Sequence, residues 1–346
     1  MNIGIISPFQ RGGYGYTVLD IRKQLIKYGH SVSVLARNNT TRELEFNVPN
    51  VEWYPGREIP VDVINYWIKK NGISRCIFLG FDSADDLIKI IGSISVTVET
   101  ISIPMWECIK DITLYKDFDR VICPTKKCFS FFKDFDQAVY VKWGFDDEIF
   151  KPSQDLLLDT KPIKYFHPVG KDTQEDLSGK VPTLRGFLNK NRIGVTDQGE
   201  LAPRALLYVH SLLSNNQQPV NYNLGHVIIG KQNLSRSEIL TLYQCSDCCV
   251  LPSKVEGLGL SFLEAIGCSL PVITVDEAPM NEFVINEKTG YTLDRDRLEH
   301  GLAWAFNWFE DSPETILEMK KNTLKMRSEW SWKTNGEALV TAIVGE

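Results

Sequence analysis

Short apolar runs rich in β-branched residues alternate with longer helical stretches throughout this chain, and that alternation restricts its fold more than any other feature. In the first half the runs are "IGII" (3–6), "VSVLA" (32–36), "CIFLG" (76–80), "SVTVE" (95–99), "VIC" (121–123) and "AVYVK" (138–142). Strands separated by helices return to one sheet by crossing over its face, which makes the strands parallel and the sheet doubly wound. Between the first two runs Val18, Ile21, Leu25 and Tyr28 recur at helical spacing, and Gly29 stands where a helix ends on a left-handed residue. A second series follows "FKPSQ": "KYFHPVG" (164–170), "ALLYVH" (205–210), "HVIIG" (226–230), "CCVLP" (248–252), "PVITV" (271–275) and "YTL" (291–293). Ser235 and Glu238 form an S-x-x-E capping box at the start of the helix before "CCVLP". A chain of 346 residues suits two cores better than one. The expected class is α/β, with two facing Rossmann-like domains and a cleft between them. Their expected limits are 1–152 and 153–332, and the stretch at about 333–346 is able to pack back on the first.

Composition narrows the function. With 43% hydrophobic and 24% charged residues the chain is neither disordered nor fibrous. A net charge of -6 argues against a general polyanion-binding surface. The start, "MNIGIISPFQ", lacks the features of a signal peptide, and no window approaches the ~20 apolar residues that span a bilayer. Eight cysteines without disulfide-scaffold spacing suggest reduced thiols, so a cytoplasmic protein without a transmembrane segment is expected. The "CSDCC" run, Cys245 to Cys249, contains one CxxC step but no second ligand pair, and core packing is the better reading. Three D-x-D triplets, at Asp117–Asp119, Asp134–Asp136 and Asp294–Asp296, fall on surface helices or loops. No metal site is expected from them.

Two glycine-rich turns each follow a strand and open a helix. In "QRGGYGYT" the amides around Gly12, Gly13 and Gly15 are placed to approach a ligand above the sheet. The dinucleotide register G-x-G-x-x-G fails here, because from Gly13 it puts Val18 at the third glycine. In "PSKVEGLGLSFLEAIGCSLPVI" (252–273), Glu256 precedes the glycines and Glu264 lies about one turn into the helix. Helix-start amides favour a diphosphate, whereas a carboxylate beside phosphate is better matched to hydroxyls, two vicinal ones fitting it well. Phosphate between two hydroxyl-rich groups is the outline of a nucleotide sugar.

These blocks resemble the retaining GT-B glycosyltransferases of family 4, with their E-x7-E motif. The matching residues are Pro252-Ser253, Glu256-Gly257-Leu258-Gly259, Leu263-Glu264-Ala265 and Pro271-Val272-Ile273, together with "VKWGFDDEIFKP" and "NEKTGYTL". The resemblance implies that Glu264 binds the ribose and Glu256 the transferred sugar near the reaction centre. It also implies that the amides of Gly257, Leu258, Gly259 and Leu260 bind sugar hydroxyls and diphosphate, while Gly12, Gly13 and Gly15 close over the donor. The family neutralises the leaving diphosphate with an Arg and a Lys rather than a metal. Here Lys171 stands at the first position, and Lys180, or else Arg185, supplies the second. The implied activity is metal-independent, cofactor-free transfer of a sugar from a UDP- or GDP-sugar to an acceptor hydroxyl with retention. A nucleotide-sugar-binding protein without transfer is the alternative.

For the acceptor the candidates are Trp106 and Glu107 in "SIPMWECIKD", and Trp143, which replaces the family's usual asparagine. Each has a packing or solvated alternative. The acceptor itself is a glycan or, second, a hydroxymethylated base in DNA. DNA would need the cluster Arg120, Lys126, Lys127, Lys133 and Lys142 as its phosphate strip.

Overall fold

A computed structural model describes residues 1–37, 44–56, 58–80, 90–153, 163–168, 227–230, 235–253 and 255–345. The chain forms two compact units, Met1–Gly144 with Trp332–Glu346, and Phe145–Ser331. The expected strand at 205–210 lies outside the described residues.

The first unit contains β1 (Asn2–Pro8), α1 (Gly13–Lys27), β2 (Ser31–Arg37), β3 (Val51–Tyr54), α2 (Val61–Lys70), β4 (Arg75–Leu79), β5 (Glu99–Ile103), β6 (Arg120–Cys123), α3 (Lys126–Phe132) and β7 (Ala138–Tyr140). Its sheet has the order β3-β2-β1-β4-β5-β6-β7, with each neighbouring pair parallel. Ile3, Ile5 and Ile6 of β1 are all buried, as expected of a central strand covered on both faces. On one face Ile6, Leu35, Phe78 and Val121 pack with Ile64 and Trp67 of α2. Two details depart from the sequence expectation. Strand β3 was not anticipated, because its "VEWY" is an edge strand of half-buried residues. Strand β5 begins at Glu99 rather than ending there, and the apolar Val96 and Val98 pack beneath the sheet without joining it.

The second unit contains β8 (Tyr165–Pro168), β9 (Val227–Gly230), α4 (Arg236–Gln244), β10 (Cys248–Leu251), α5 (Leu260–Gly267), β11 (Val272–Val275), α6 (Met280–Phe283), β12 (Gly290–Leu293), α7 (Leu298–Asp311) and α8 (Pro313–Met326). Among the described residues its parallel sheet runs β12-β11-β10-β8-β9. The capping box at Ser235 and Glu238 opens α4 in full, each side chain meeting the other residue's backbone. Tyr165, Val250 and Ile273 pack beneath Leu302, Phe309 and Met319 of the two long helices. At the base of the sheet Lys320 Nζ meets Asp247 Oδ1 at 2.7 Å, and Asp247 Oδ2 accepts the Lys164 N–H at 2.9 Å. Both side chains are largely buried, so the geometry is fixed as well as charged.

The unit boundary falls after Gly144 rather than at 152 because Phe145 and Phe150 pack where Gly267 leaves space, and the Phe145 N–H donates to the Trp330 carbonyl at 2.9 Å. The final helix, α9 (Trp332–Val344), belongs to the first unit. Its last carbonyls are held by two cations: Arg75 donates to Ile343 O and Arg120 to Ala342 O, each at 2.8 Å. Glu99 ties both guanidinium groups together. Positive charge at a helix C-terminus satisfies orphan carbonyls and complements the helix dipole.

Candidate functional site

In the second sheet β8 comes first in the chain, with β9 on one side and β10 on the other. The strand order therefore reverses between β8 and β10, the kind of position at which open α/β sheets bind ligands beyond the carboxyl ends of their strands. His167, near the end of β8, sits at this reversal with its Nδ1 2.7 Å from the Val250 carbonyl of β10. A carbonyl only accepts, so Nδ1 carries the proton. Burial pulls the ring's pKa below its ordinary value, against the opposing pull of that hydrogen bond, so the neutral ring is favoured.

The turn after β10 carries the motif. Gly259 caps α5 with a φ of 77°, a left-handed conformation that favours glycine, and a Cβ there would meet the Phe283 ring at 2.8 Å. The N-cap residue makes no side-chain capping bond and the first turn of this helix holds no acid, which leaves its start suited to an anion. The Leu258 side chain is buried, which pins the loop, while Gly257 and Leu260 are half-buried.

The two glutamates differ in setting. Glu256 is half-buried on the loop; desolvation raises its carboxyl pKa, opposed by a hydrogen bond with the Ser253 side chain. Glu264, on α5, is only 7% exposed, and its Oε2 accepts from the Tyr243 hydroxyl at 3.2 Å. Tyr243 is fully buried, edge-to-face on Phe166 at 4.8 Å. Nothing in the sequence marked Tyr243 as part of this site, because it occupies an apolar core position of α4 and its partner is remote in sequence. Lys171, Lys180 and Arg185 lie outside the described residues.

The first unit has its own reversal between β1 and β4, at the carboxyl end of β1. There Gly12 (φ 133°) caps α1; Gly12 and Gly13 are exposed, and each has open space where a Cβ would point. Gly15 is buried, with the Gln10 carbonyl occupying the place of a Cβ, so its lack of a side chain is a packing requirement. Tyr14, between these glycines, packs against Gly80 and brings its hydroxyl 3.7 Å from Cys108 Sγ.

Trp106 is half-buried and lies parallel to Phe131 at 6.4 Å, with Lys127 Nζ over both rings at 5.3 and 5.4 Å. Glu107 is exposed. Trp143 requires a correction: it is 0% exposed and packs edge-to-face on Trp332 at 5.1 Å, so its indole presents no face to an acceptor. Arg120 is engaged by Glu99 and the α9 carbonyl, which removes it from the basic strip.

Among the triplet acids, Asp119 accepts from the Thr100 N–H and hydroxyl at 2.7 and 2.8 Å, tying β5 to the start of β6. Cys248 and Cys249 are buried in β10, where burial pushes both thiols up, and Cys245 is exposed. Among the described residues no group of three or more His, Cys, Asp or Glu is placed to hold a metal ion, and no helix is long and apolar enough to cross a membrane.

Two parallel, doubly wound sheets, each with a glycine turn at its reversal, define an α/β protein of the GT-B class. Residues 217–326, which include the Glu256 turn and Glu264, match the family model for glycosyl transferases group 1. A 103-residue segment is 32% identical to the glycogen synthase of Mycobacterium tuberculosis (strain ATCC 25618 / H37Rv), covering 30% of this chain and 25% of that protein. The chain thus matches only about a quarter of that relative's length. Among solved structures, Anabaena Alr3699/HepE in complex with UDP-glucose superposes with a TM-score of 0.70 at 12% identity, covering 100% of both chains. An alpha-glucosyltransferase in complex with UDP and a 13-mer DNA containing an HMU base superposes with a TM-score of 0.63 at 11% identity, covering 99% of each chain. These likenesses, spanning whole chains at low identity, show the fold.

Proposed function

We propose that this protein is a retaining, metal-independent glycosyltransferase that moves a sugar from a UDP- or GDP-sugar to an acceptor hydroxyl. The observation that carries the reading is the second unit's turn: two glutamates flank an uncapped, acid-free helix start at the sheet reversal, within the segment matched by the group 1 model. The amides of Gly257 to Leu260 take sugar hydroxyls and diphosphate, Glu264 takes the ribose, and Glu256 holds the sugar being transferred. Lys171 and Lys180 neutralise the departing diphosphate, whose oxygen receives the acceptor proton as attack occurs on the same face. No protein nucleophile is used, and charge stabilisation together with orientation supplies the acceleration. The UDP-glucose bound by the Anabaena protein supports a donor of this class.

The first unit is assigned to the acceptor, with the exposed Gly12 and Gly13 as its ligand-facing glycines, Gly15 serving packing, and Trp106 and Glu107 receiving the acceptor. A glycan is favoured. DNA is bound by one structural neighbour, but here Arg120 is held by Glu99 and the net charge is -6. A cytoplasmic location, in a bacterial cell or a phage-infected host, fits eight cysteines without a disulfide.

Native mass spectrometry with a panel of UDP- and GDP-sugars, followed by NMR of the product's anomeric configuration, tests this reading. Capture of one donor class and a retained anomer are expected; an inverted product would refute the mechanism. A salt-sensitive shift of duplex DNA would move the acceptor from glycan to DNA.

A further inference from the structure

Tyr243 and Glu264 come from different helices, α4 and α5, and meet inside the second unit. The phenol ring is set by the core, edge-to-face with Phe166 at 4.8 Å and with Phe150 at 6.3 Å. Its hydroxyl lies 3.2 Å from Glu264 Oε2 and also 3.2 Å from the Ser261 carbonyl, so one proton is shared between two acceptors on α5. A residue needed only for volume at a fully buried position would be phenylalanine, because a buried hydroxyl costs free energy unless it is bonded. Burial, and the nearby Glu264 charge, hold the hydroxyl's pKa well above the ordinary tyrosine value, so it remains a donor throughout the usable pH range. A carboxylate on a flexible side chain recognises a pair of hydroxyls only if its plane is fixed, and a donor anchored in the core fixes it.

We propose that Tyr243 is a positioning residue: by holding Oε2 it sets the Glu264 carboxylate in the plane that receives the ribose hydroxyls of a nucleoside diphosphate, and so sets the preference for ribose over deoxyribose. The proposal rests on the assignment of Glu264 to the ribose. Tyr243 itself touches no substrate.

The test is calorimetric titration of the full chain with UDP, GDP and their 2′-deoxy counterparts, for the wild type, Tyr243→Phe and Tyr243→p-aminophenylalanine. The wild type should bind the ribonucleotide of its preferred base about tenfold to hundredfold more tightly than the deoxy form, the range expected of a charge-assisted hydrogen bond. Tyr243→Phe should reduce that ratio at least about fivefold by weakening the ribonucleotide, leaving the deoxynucleotide within about twofold. The p-amino variant, which keeps a weaker N–H donor in place, should give an intermediate ratio; should Tyr243→Phe not fold, its comparison with the wild type carries the test. A wild type that does not distinguish the sugars would overturn both the ribose assignment and this proposal. A wild type that distinguishes them, with variants that keep the full ratio and differ only in melting temperature, would leave Glu264 on the ribose and overturn the role of Tyr243.

Discussion

His167 donates its Nδ1–H to the Val250 carbonyl at 2.7 Å, bridging β8 and β10 at the point where the strand order of the second sheet reverses. That bond fixes the tautomer of a buried ring at the carboxyl end of β8. Two neighbouring parallel strands are thereby tied by a side chain as well as by their backbone ladder.

The same burial gives stability a pH dependence. The folded-state pKa of His167 is lowered, so as pH falls through the unfolded value of about 6.5 the unfolded chain takes a proton that the folded chain refuses. Stability is therefore present above that value and lost below it, by up to about 1.4 kcal/mol per pH unit until the folded-state pKa is reached. His167→Asn keeps a donor near Nδ1 and does not titrate. Urea midpoints at pH 7.5 and 5.5 should fall more for the wild type than for this variant; parallel losses would contradict the assignment.

Glu256 has the opposite sign. Its folded-state pKa is raised, so the protonated form is favoured by folding, and stability is lost as pH rises through the folded-state value. Glu256→Gln should melt at a higher temperature than the wild type at pH 7.5 and show a smaller gain near pH 4. Turnover should fall about a hundredfold, with donor affinity nearly unchanged, because the group holds the sugar at the reaction centre. A variant with full turnover would remove Glu256 from the mechanism.

Gly259→Ala combines two penalties, a left-handed backbone and a Cβ pressed to 2.8 Å from the Phe283 ring. A loss of about 1–3 kcal/mol is expected from urea denaturation. Nucleotide affinity should fall with it, since the helix start is displaced. Wild-type stability would show that the turn has another conformation available.

Much of the fold was legible in the alternation of strand and helix patterns, because buried parallel strands such as "IGII" and "CCVL" are continuous apolar runs. The edge strand "VEWY" was not, since half-buried residues carry no such run. The glycine turns and both glutamates were legible because backbone conformation and charge are local properties. Tyr243 and the burial of Trp143 were not, because both depend on partners distant in sequence: Glu264 for the first and Trp332 for the second. A tyrosine and a tryptophan look alike from sequence whether they face a ligand or a core.

Acceptor-dependent release of UDP or GDP from a panel of nucleotide sugars, compared between the wild type and Glu264→Ala, tests the central claim most directly. The wild type should release one nucleotide when a glycan acceptor is present, and Glu264→Ala should lower kcat/KM at least about tenfold, as loss of a charge-assisted hydrogen bond to the ribose requires. Donor binding without release for any acceptor would contradict transfer and leave a nucleotide-sugar-binding protein.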